Sequence, residues 1–136
     1  MVDTRFSVSV HIMVTLAYHQ DDLVNSEALA KNLKTNATFV RKLVSRLVEA
    51  DLVQSYRGKN GGITLGKKAS DITLKEIYCA MMEEKCLVGT ANKPANKACA
   101  VSCSMSQILN NIVDGVENST KSYLAKITLQ DLLKKI

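Results

Sequence analysis

Long hydrophobic runs and a secretion signal are both missing from this sequence of 136 residues. No apolar run approaches the roughly 18 residues that a membrane-spanning helix needs, so the sequence predicts no contact with a membrane. The start, MVDTRFSV, lacks a basic region followed by an apolar one. We therefore expect the protein to stay in the cytoplasm.

Motifs of enzymes and nucleotide-binding proteins are also absent. Neither GxGxxG nor GxxxxGK followed by Ser or Thr occurs, which argues against a phosphate-binding loop for a nucleotide. There is no CxxC pair, no Ser/His/Asp arrangement and no pair of carboxylates at catalytic spacing. We therefore do not expect an enzyme.

Positive charge is concentrated in one part of the chain. The composition, 46% hydrophobic and 23% charged, is typical of one folded domain with a net charge of +5. From Lys31 to Lys68, nine basic residues stand against two acidic ones, so this stretch alone carries +7. A basic block beside a nearly neutral one indicates a nucleic-acid face, although a merely solvated charged face is the alternative.

Two short helices followed by a hairpin are predicted within the basic block. A cap at Asn25 opens the first helix, and after a break over 34–36 a strongly amphipathic helix begins near Asn36 or Ala37. Two short helices joined by a tight turn form a helix-turn-helix. The alternating segments 52–57 and 63–65 around a glycine-rich loop then predict a β-hairpin, which in this position is a wing.

A long apolar helix is predicted in the second half. A capping box at 73–76 opens a shorter helix, and after a loop over 84–103 the long helix runs from about Ser102 to Leu124. Its apolar stripe is too long for one small domain to cover, which predicts a homodimer. The residues expected at the dimer interface are Ile108, Ile112, Val113 and Val116.

The four cysteines all lie in this second half. Cys79 has apolar helical neighbours, so we expect it to pack in the core. Cys86 stands at the entrance of the loop, and Cys99 and Cys103 stand at its exit, four residues apart and able to share a helix face. Because stable disulfides are uncommon in the cytoplasm, these three residues leave open a redox-sensing thiol, an iron–sulfur or other metal site, or no sensing role.

The residues that carry a family resemblance follow one another over almost the whole chain. They are SExLA at 26–30, FVRKLVSRL at 39–47, LV at 52–53, RGxxGG at 57–62, ITLxEI at 72–77, Cys99, and YLxxITLxDL at 123–132. This pattern resembles the Rrf2 family of bacterial transcription regulators. The resemblance implies a winged helix-turn-helix homodimer that binds operator DNA and senses iron–sulfur status, oxidants, nitric oxide or a small metabolite.

The cysteines depart from the pattern of family members that hold an iron–sulfur cluster, which resemble one another in three evenly spaced cysteines. Here twelve residues separate Cys86 from Cys99, and three separate Cys99 from Cys103. No cysteine fills the middle position of the family pattern. We therefore assign no cofactor from the sequence, and keep an iron–sulfur cluster held by these three residues as an alternative.

DNA contacts are expected from the start of the second helix of the helix-turn-helix and from the wing. A recognition helix reads base edges with its N-terminal residues. Arg41, with its bidentate guanidinium, is expected to contact a base, whereas Lys42 and Arg46 are expected to contact phosphates. Asn36 is either a helix cap or a base reader. The complete candidate set is Asn36, Thr38, Phe39, Arg41, Lys42, Arg46, Arg57 and Lys59.

These expectations combine into one fold and one function. The fold is mainly α, with a winged helix-turn-helix over 1–68, and with the cysteine-bearing loop and the long dimerisation helix over 69–136. The expected function is sequence-specific repression of transcription, through double-stranded operator DNA whose binding responds to thiol oxidation. The alternatives are an iron–sulfur-sensing regulator of the same fold, or a thiol or metal-handling protein whose basic patch is incidental.

Overall fold

The computed structural model describes residues 3–82 and 98–136, so Cys86 and most of the predicted loop lie outside the described residues. Among those described, helices predominate and the strands form one antiparallel pair. In chain order the elements are α1 (Arg5–Tyr18), α2 (Ser26–Leu33), α3 (Ala37–Glu49), β1 (Val53–Tyr56), β2 (Gly62–Leu65), a 3₁₀ turn (Ala69–Asp71), α4 (Leu74–Met82), α5 (Ala100–Leu124) and α6 (Leu129–Leu133). The predicted mainly α-helical winged fold is confirmed.

The turn between α2 and α3 follows from their caps. The side-chain oxygens of Asn25 and Asn36 each accept a hydrogen bond from a backbone N–H two residues on, at 2.7 Å. Lys34 ends α2 in the left-handed conformation, with φ of 53°, and so reverses the chain. The apolar face of α3 is buried through Val40, Leu43, Val44 and Leu47. The opposite, basic face of α3 is therefore turned outward.

The wing is built on two glycines and fixed to the start of α2. Gly58 has φ of +105°, which favours glycine, and a Cβ on Gly61 would lie 2.2 Å from the carbonyl oxygen of Tyr56. Val24 and Ile63 exchange two backbone hydrogen bonds of 2.9 Å, which join β2 to the segment before α2. The hairpin is consequently held beside the helix-turn-helix.

The core is formed where α1 packs against α4 and α6, and where α3 packs against α4. Its largest fully buried side chains are Ile12, Met13, Leu16, Leu29, Val40, Leu43, Leu47, Leu52, Ile72, Ile77, Met81 and Leu129. At the start of α6, Thr128 and Asp131 form a capping box. The backbone N–H of Thr128, and then its hydroxyl, hold the pKa of Asp131 below its ordinary value.

Two sequence predictions about the cysteines are corrected here. Cys79 is exposed rather than buried, because α4 buries Leu74, Ile77, Tyr78 and Met81 on its other side. The long helix begins at Ala100, within two residues of the predicted start near Ser102. Cys99 is therefore the N-cap residue of α5, and Cys103 lies within the helix rather than at the exit of a loop.

Candidate nucleic-acid interface

The N-terminal half of α3 presents polar side chains to solvent. Thr38, Arg41 and Lys42 are exposed, whereas Phe39 is half-buried and packs against the core. Asn36 is exposed too, but its side-chain oxygen accepts the hydrogen bond from the Thr38 N–H. In the structure Asn36 therefore acts as the helix cap, which is one of the two roles expected for it.

A groove of about 480 Å³ separates α3 from the wing, and it contains arginines from both elements. Arg41 lines it from α3, and Arg57 lines it from the residue that follows β1. The full lining is Ser26, Arg41, Val44, Ser45, Val48, Ser55, Arg57 and Ile63. Two guanidinium groups and three hydroxyls in one open groove are donors suited to phosphate oxygens and base edges.

The wing presents exposed donors both in this groove and outside it. Arg57 and Lys59 are both exposed, as predicted for the wing tip. Tyr56 is 51% exposed, and its hydroxyl donates to the side-chain oxygen of Gln54 at 2.9 Å. The position of Ser55 could have been predicted from strand alternation. Ser55 lies two residues from buried Val53, and residues two apart in a strand share one face. Sequence reasoning missed Ser26, Ser45, Ser55 and Tyr56 as possible contact residues.

Two basic side chains of the block are committed to α4 instead. Arg46 is half-buried, and its Nη1 donates to the carbonyl oxygen of Met81 at 2.9 Å. Lys67 pairs with the carboxylate of Glu76 at 2.6 Å. Arg46, which the sequence predicts to contact phosphates, therefore has one guanidinium nitrogen bonded to a main-chain carbonyl of α4.

The cysteine region is described only in part. Cys99 and Cys103 are both exposed and lie one turn apart, since the Cys103 N–H donates to the Cys99 carbonyl at 3.0 Å. Within residues 3–82 and 98–136, no three His, Cys, Asp or Glu side chains converge as metal ligands. The third candidate, Cys86, lies outside these ranges. The described residues therefore do not by themselves make a site for an iron–sulfur cluster.

The long helix α5 has two apolar sides with different surroundings. Val113 is only 7% exposed, because it packs within its own chain. Ile108, Ile112 and Val116 are 48%, 55% and 37% exposed and form a second side, which Val101, Met105 and Tyr123 extend. Val113 therefore does not belong to the exposed stripe with which the sequence prediction grouped it.

The exposed basic helix of a helix-turn-helix beside a basic wing defines a DNA-binding protein of the winged helix-turn-helix class. The particular family follows from comparison with known sequences: the chain belongs to the Rrf2 family. The family's profile, described as that of an iron-dependent transcriptional regulator, matches residues 2–135. Among the residues that the structure describes, no helix has the length and hydropathy needed to cross a membrane.

Individual relatives agree with this assignment. The chain is 29% identical over 136 residues to YwnA of Bacillus subtilis (strain 168), classed among HTH-type transcriptional regulators, with 100% of this chain and 99% of that protein covered. It is 29% identical over 133 residues to the HTH-type transcriptional regulator NsrR of Oceanobacillus iheyensis, covering 96% and 86%. The solved structure of IscR from T. potens superposes with a TM-score of 0.71 at 25% identity, covering 99% and 87%.

Proposed function

We propose that this regulator binds operator DNA as a homodimer in the cytoplasm and represses transcription from it. The observation that carries the proposal is the groove between α3 and the wing, lined by both Arg41 and Arg57. In this assignment the N-terminal half of α3 enters the major groove, and the wing reaches the neighbouring backbone or minor groove. A site bound in this way is closed to other proteins that need the same DNA, which favours repression.

Base reading and phosphate binding are assigned to different side chains of α3. Arg41 lines the protein groove between α3 and the wing. Because its guanidinium can form two hydrogen bonds to a guanine edge, Arg41 is assigned to a base. Exposed Lys42 is assigned to a phosphate, together with Arg57 and Lys59 of the wing. Phosphate contacts position the protein without reading sequence.

These roles are separated by measuring the affinity of variants for two duplexes. One duplex is selected from a random pool by the wild-type protein, and the other is its scrambled version. Arg41→Ala should cost about 1–3 kcal/mol on the selected duplex and relax its preference over the scrambled one. Lys42→Ala should weaken both duplexes by the same factor. If Arg41→Ala and Arg57→Ala both leave the selected duplex bound as before, the assigned face is wrong.

The proposed dimer interface is the exposed apolar side of α5. Ile108, Ile112 and Val116 leave a large fraction of their surface in water, although the same helix already packs on α4 through its other side. A two-fold symmetric pairing of this stripe would bury each of these side chains in both copies. It would also give the DNA two recognition helices, one for each half-site.

The signal is assigned to oxidation of the thiols near the start of α5. Cys99 and Cys103 are exposed there, so an oxidant can reach them. The oxidant takes two electrons either from one thiol, which becomes a sulfenic acid, or from Cys99 and Cys103 together, which become a disulfide and release two protons. Either product changes the N-terminal end of the proposed dimer helix without touching the DNA face.

An iron–sulfur cluster is the second candidate signal, favoured by the family's description as iron-dependent. Cys86, Cys99 and Cys103 would be its ligands. Protein purified without oxygen distinguishes the two candidates, because a cluster contributes visible absorption and stoichiometric iron and sulfide. Colourless, iron-free protein that still responds to oxidant supports the thiol signal.

A further inference from the structure

Helix α4 is joined by side chains to two helices with different proposed tasks. On one side, Nη1 of Arg46 in α3 donates to the carbonyl oxygen of Met81 at 2.9 Å. On the other side, the Tyr78 hydroxyl donates to the carboxylate of Glu117 in α5, at 2.9 and 3.0 Å to its two oxygens. We refer to these two contacts as the α4 linkage. Its anchor points on α4, Tyr78 and Met81, lie within one helical turn.

Both contacts of the α4 linkage are partly shielded from bulk water. The Tyr78 side chain is 2% exposed, and its ring packs edge-on against Phe6 with centroids 5.8 Å apart. Arg46 is half-buried, and both hydrogen bonds are part-buried. Hydrogen bonds that involve a charged group and are shielded from solvent are the stronger ones in proteins. The α4 linkage is therefore suited to fixing an orientation.

Backbone hydrogen bonds hold the start of α4 at the corner that follows the long helix. The Leu74 N–H donates to the Ile127 carbonyl at 2.9 Å, and the Leu129 N–H donates to the Ile72 carbonyl at 2.8 Å. These bonds join the start of α4 to the corner between α5 and α6. Because α4 is held on α5 through Tyr78 and its start is joined to the α5–α6 corner, the Arg46 contact adds a polar link between α3 and α5 to the buried packing of α3 on α4.

We infer that Arg46 and Tyr78 are positioning residues for operator recognition. This inference rests on the proposed function, in which α5 carries the dimer interface and α3 reads the DNA. Neither residue contacts DNA in this assignment. The α4 linkage instead holds each recognition helix at a set angle to the dimer interface, and so sets the separation of the two recognition helices.

The separation of the recognition helices has a direct physical consequence. Two half-sites on one face of the duplex lie about one helical turn, or roughly 34 Å, apart. If α3 rotates relative to α5, each protomer can still bind one half-site, but both cannot bind at that spacing together. Loss of the α4 linkage should therefore weaken paired half-sites selectively.

The test measures the affinity of the full-length protein for a single half-site and for paired half-sites at centre-to-centre spacings of about 9 to about 12 base pairs. Arg46→Met removes the donor but keeps the length of the side chain, and Tyr78→Phe removes only the hydroxyl. Both variants should weaken the best-spaced duplex about three- to thirtyfold and flatten or shift the spacing profile. Affinity for the single half-site should stay within about twofold of wild type.

Conservative variants and a DNA-contact variant serve as controls. Arg46→Lys keeps a donor and Glu117→Gln keeps an acceptor, so each variant should retain most of the wild-type spacing preference. Lys42→Ala should weaken the single half-site, and should weaken the paired half-sites by a larger factor because two copies lose the contact, while the preferred spacing stays unchanged. A single half-site bound at normal affinity also shows that a variant is folded.

Three results would overturn the inference. If Arg46→Met weakens the single half-site as Lys42→Ala does and leaves the preferred spacing unchanged, Arg46 is a phosphate contact as the sequence alone suggested. An unchanged spacing profile in both Arg46→Met and Tyr78→Phe shows that the α4 linkage does not position α3. Wild-type protein that binds no duplex contradicts the proposed function itself, and the inference is lost with it.

Discussion

Asn36 shows how one side chain prepares the proposed recognition helix. Its oxygen accepts the Thr38 N–H at 2.7 Å and so satisfies one of the unpaired donors in the first turn of α3. We expect Asn36→Ala to lower the free energy of unfolding by about 1 kcal/mol, as measured by urea denaturation. Asn36→Ser is the matched control, because serine restores a cap acceptor and should restore stability. An alanine variant of unchanged stability that has lost operator preference would make Asn36 a base reader.

Cys99 is the residue on which the oxidation signal is most directly tested. It is an exposed thiol at the N-cap of α5, remote in sequence from the recognition helix. We expect diamide to lower the operator affinity of the wild type, and Cys99→Ser to blunt this response. Reduced Cys99→Ser should bind within about 1 kcal/mol of the wild type, because the DNA face is unchanged.

Cys79 supplies the control for that experiment. It is also an exposed thiol, but it lies on α4 and outside the proposed sensing set. Cys79→Ser should therefore respond to diamide as the wild type does. Should Cys99→Ser lose affinity under diamide as fully as the wild type, Cys99 is not the sensor.

Individual side-chain roles were predictable from sequence where they depend on near neighbours. Helical spacing on α3 was enough to place Arg41 and Lys42 outward. Arg46 obeys the same spacing, but its partner carbonyl belongs to Met81, 35 residues away, and no local pattern reports such a contact. Cys79 shows the opposite error, since its apolar neighbours face the core while it faces water.

Helix caps and the glycine-rich loop allowed two elements, the helix-turn-helix and the wing, to be predicted from the sequence. The strong amphipathic pattern of α3 and the glycines of the wing both translate into observed structure. The predicted start of α5 lies within two residues of the observed one, although its N-cap, Cys99, makes no side-chain cap hydrogen bond. Val113 was misassigned because spacing cannot tell which of two adjacent apolar sides a chain covers itself.

The exposed side of α5 gives a prediction about assembly. Ile112 is 55% exposed in the single chain, so a glutamate there should be tolerated by the monomer. At a two-fold interface the same substitution buries an unpaired charge in each copy. We therefore expect Ile112→Glu to be monomeric by light scattering at micromolar concentration, with an unchanged circular dichroism spectrum.

Asn110→Glu is the matched control for this variant. It adds the same charge at an exposed position two residues away, which lies about 160° around the helix from Ile112. The control should remain dimeric. A dimeric Ile112→Glu would show that the second copy does not bind through this side of α5.

In the whole molecule, the basic charge lies around α3 and the wing, and α4 connects this part to the proposed dimer helix α5. The basic residues that remain exposed around α3 and the wing belong to the stretch that carries +7, whereas the rest of the chain is nearly neutral. This division could be counted from the sequence. The way α4 joins the two ends could not, because it depends on contacts between residues far apart in the chain.

The salt dependence of DNA binding is the most direct test of operator recognition by α3 and the wing, with the selected duplex and its scrambled version titrated in parallel. If Lys42, Arg57 and Lys59 of two copies each neutralise one phosphate, the logarithm of the binding constant should fall against that of salt concentration with a slope of about −5. The selected duplex should bind at least about a thousandfold more tightly than the scrambled one at physiological salt. Equal affinity for the two duplexes, or binding that salt does not weaken, would show that α3 and the wing do not recognise an operator.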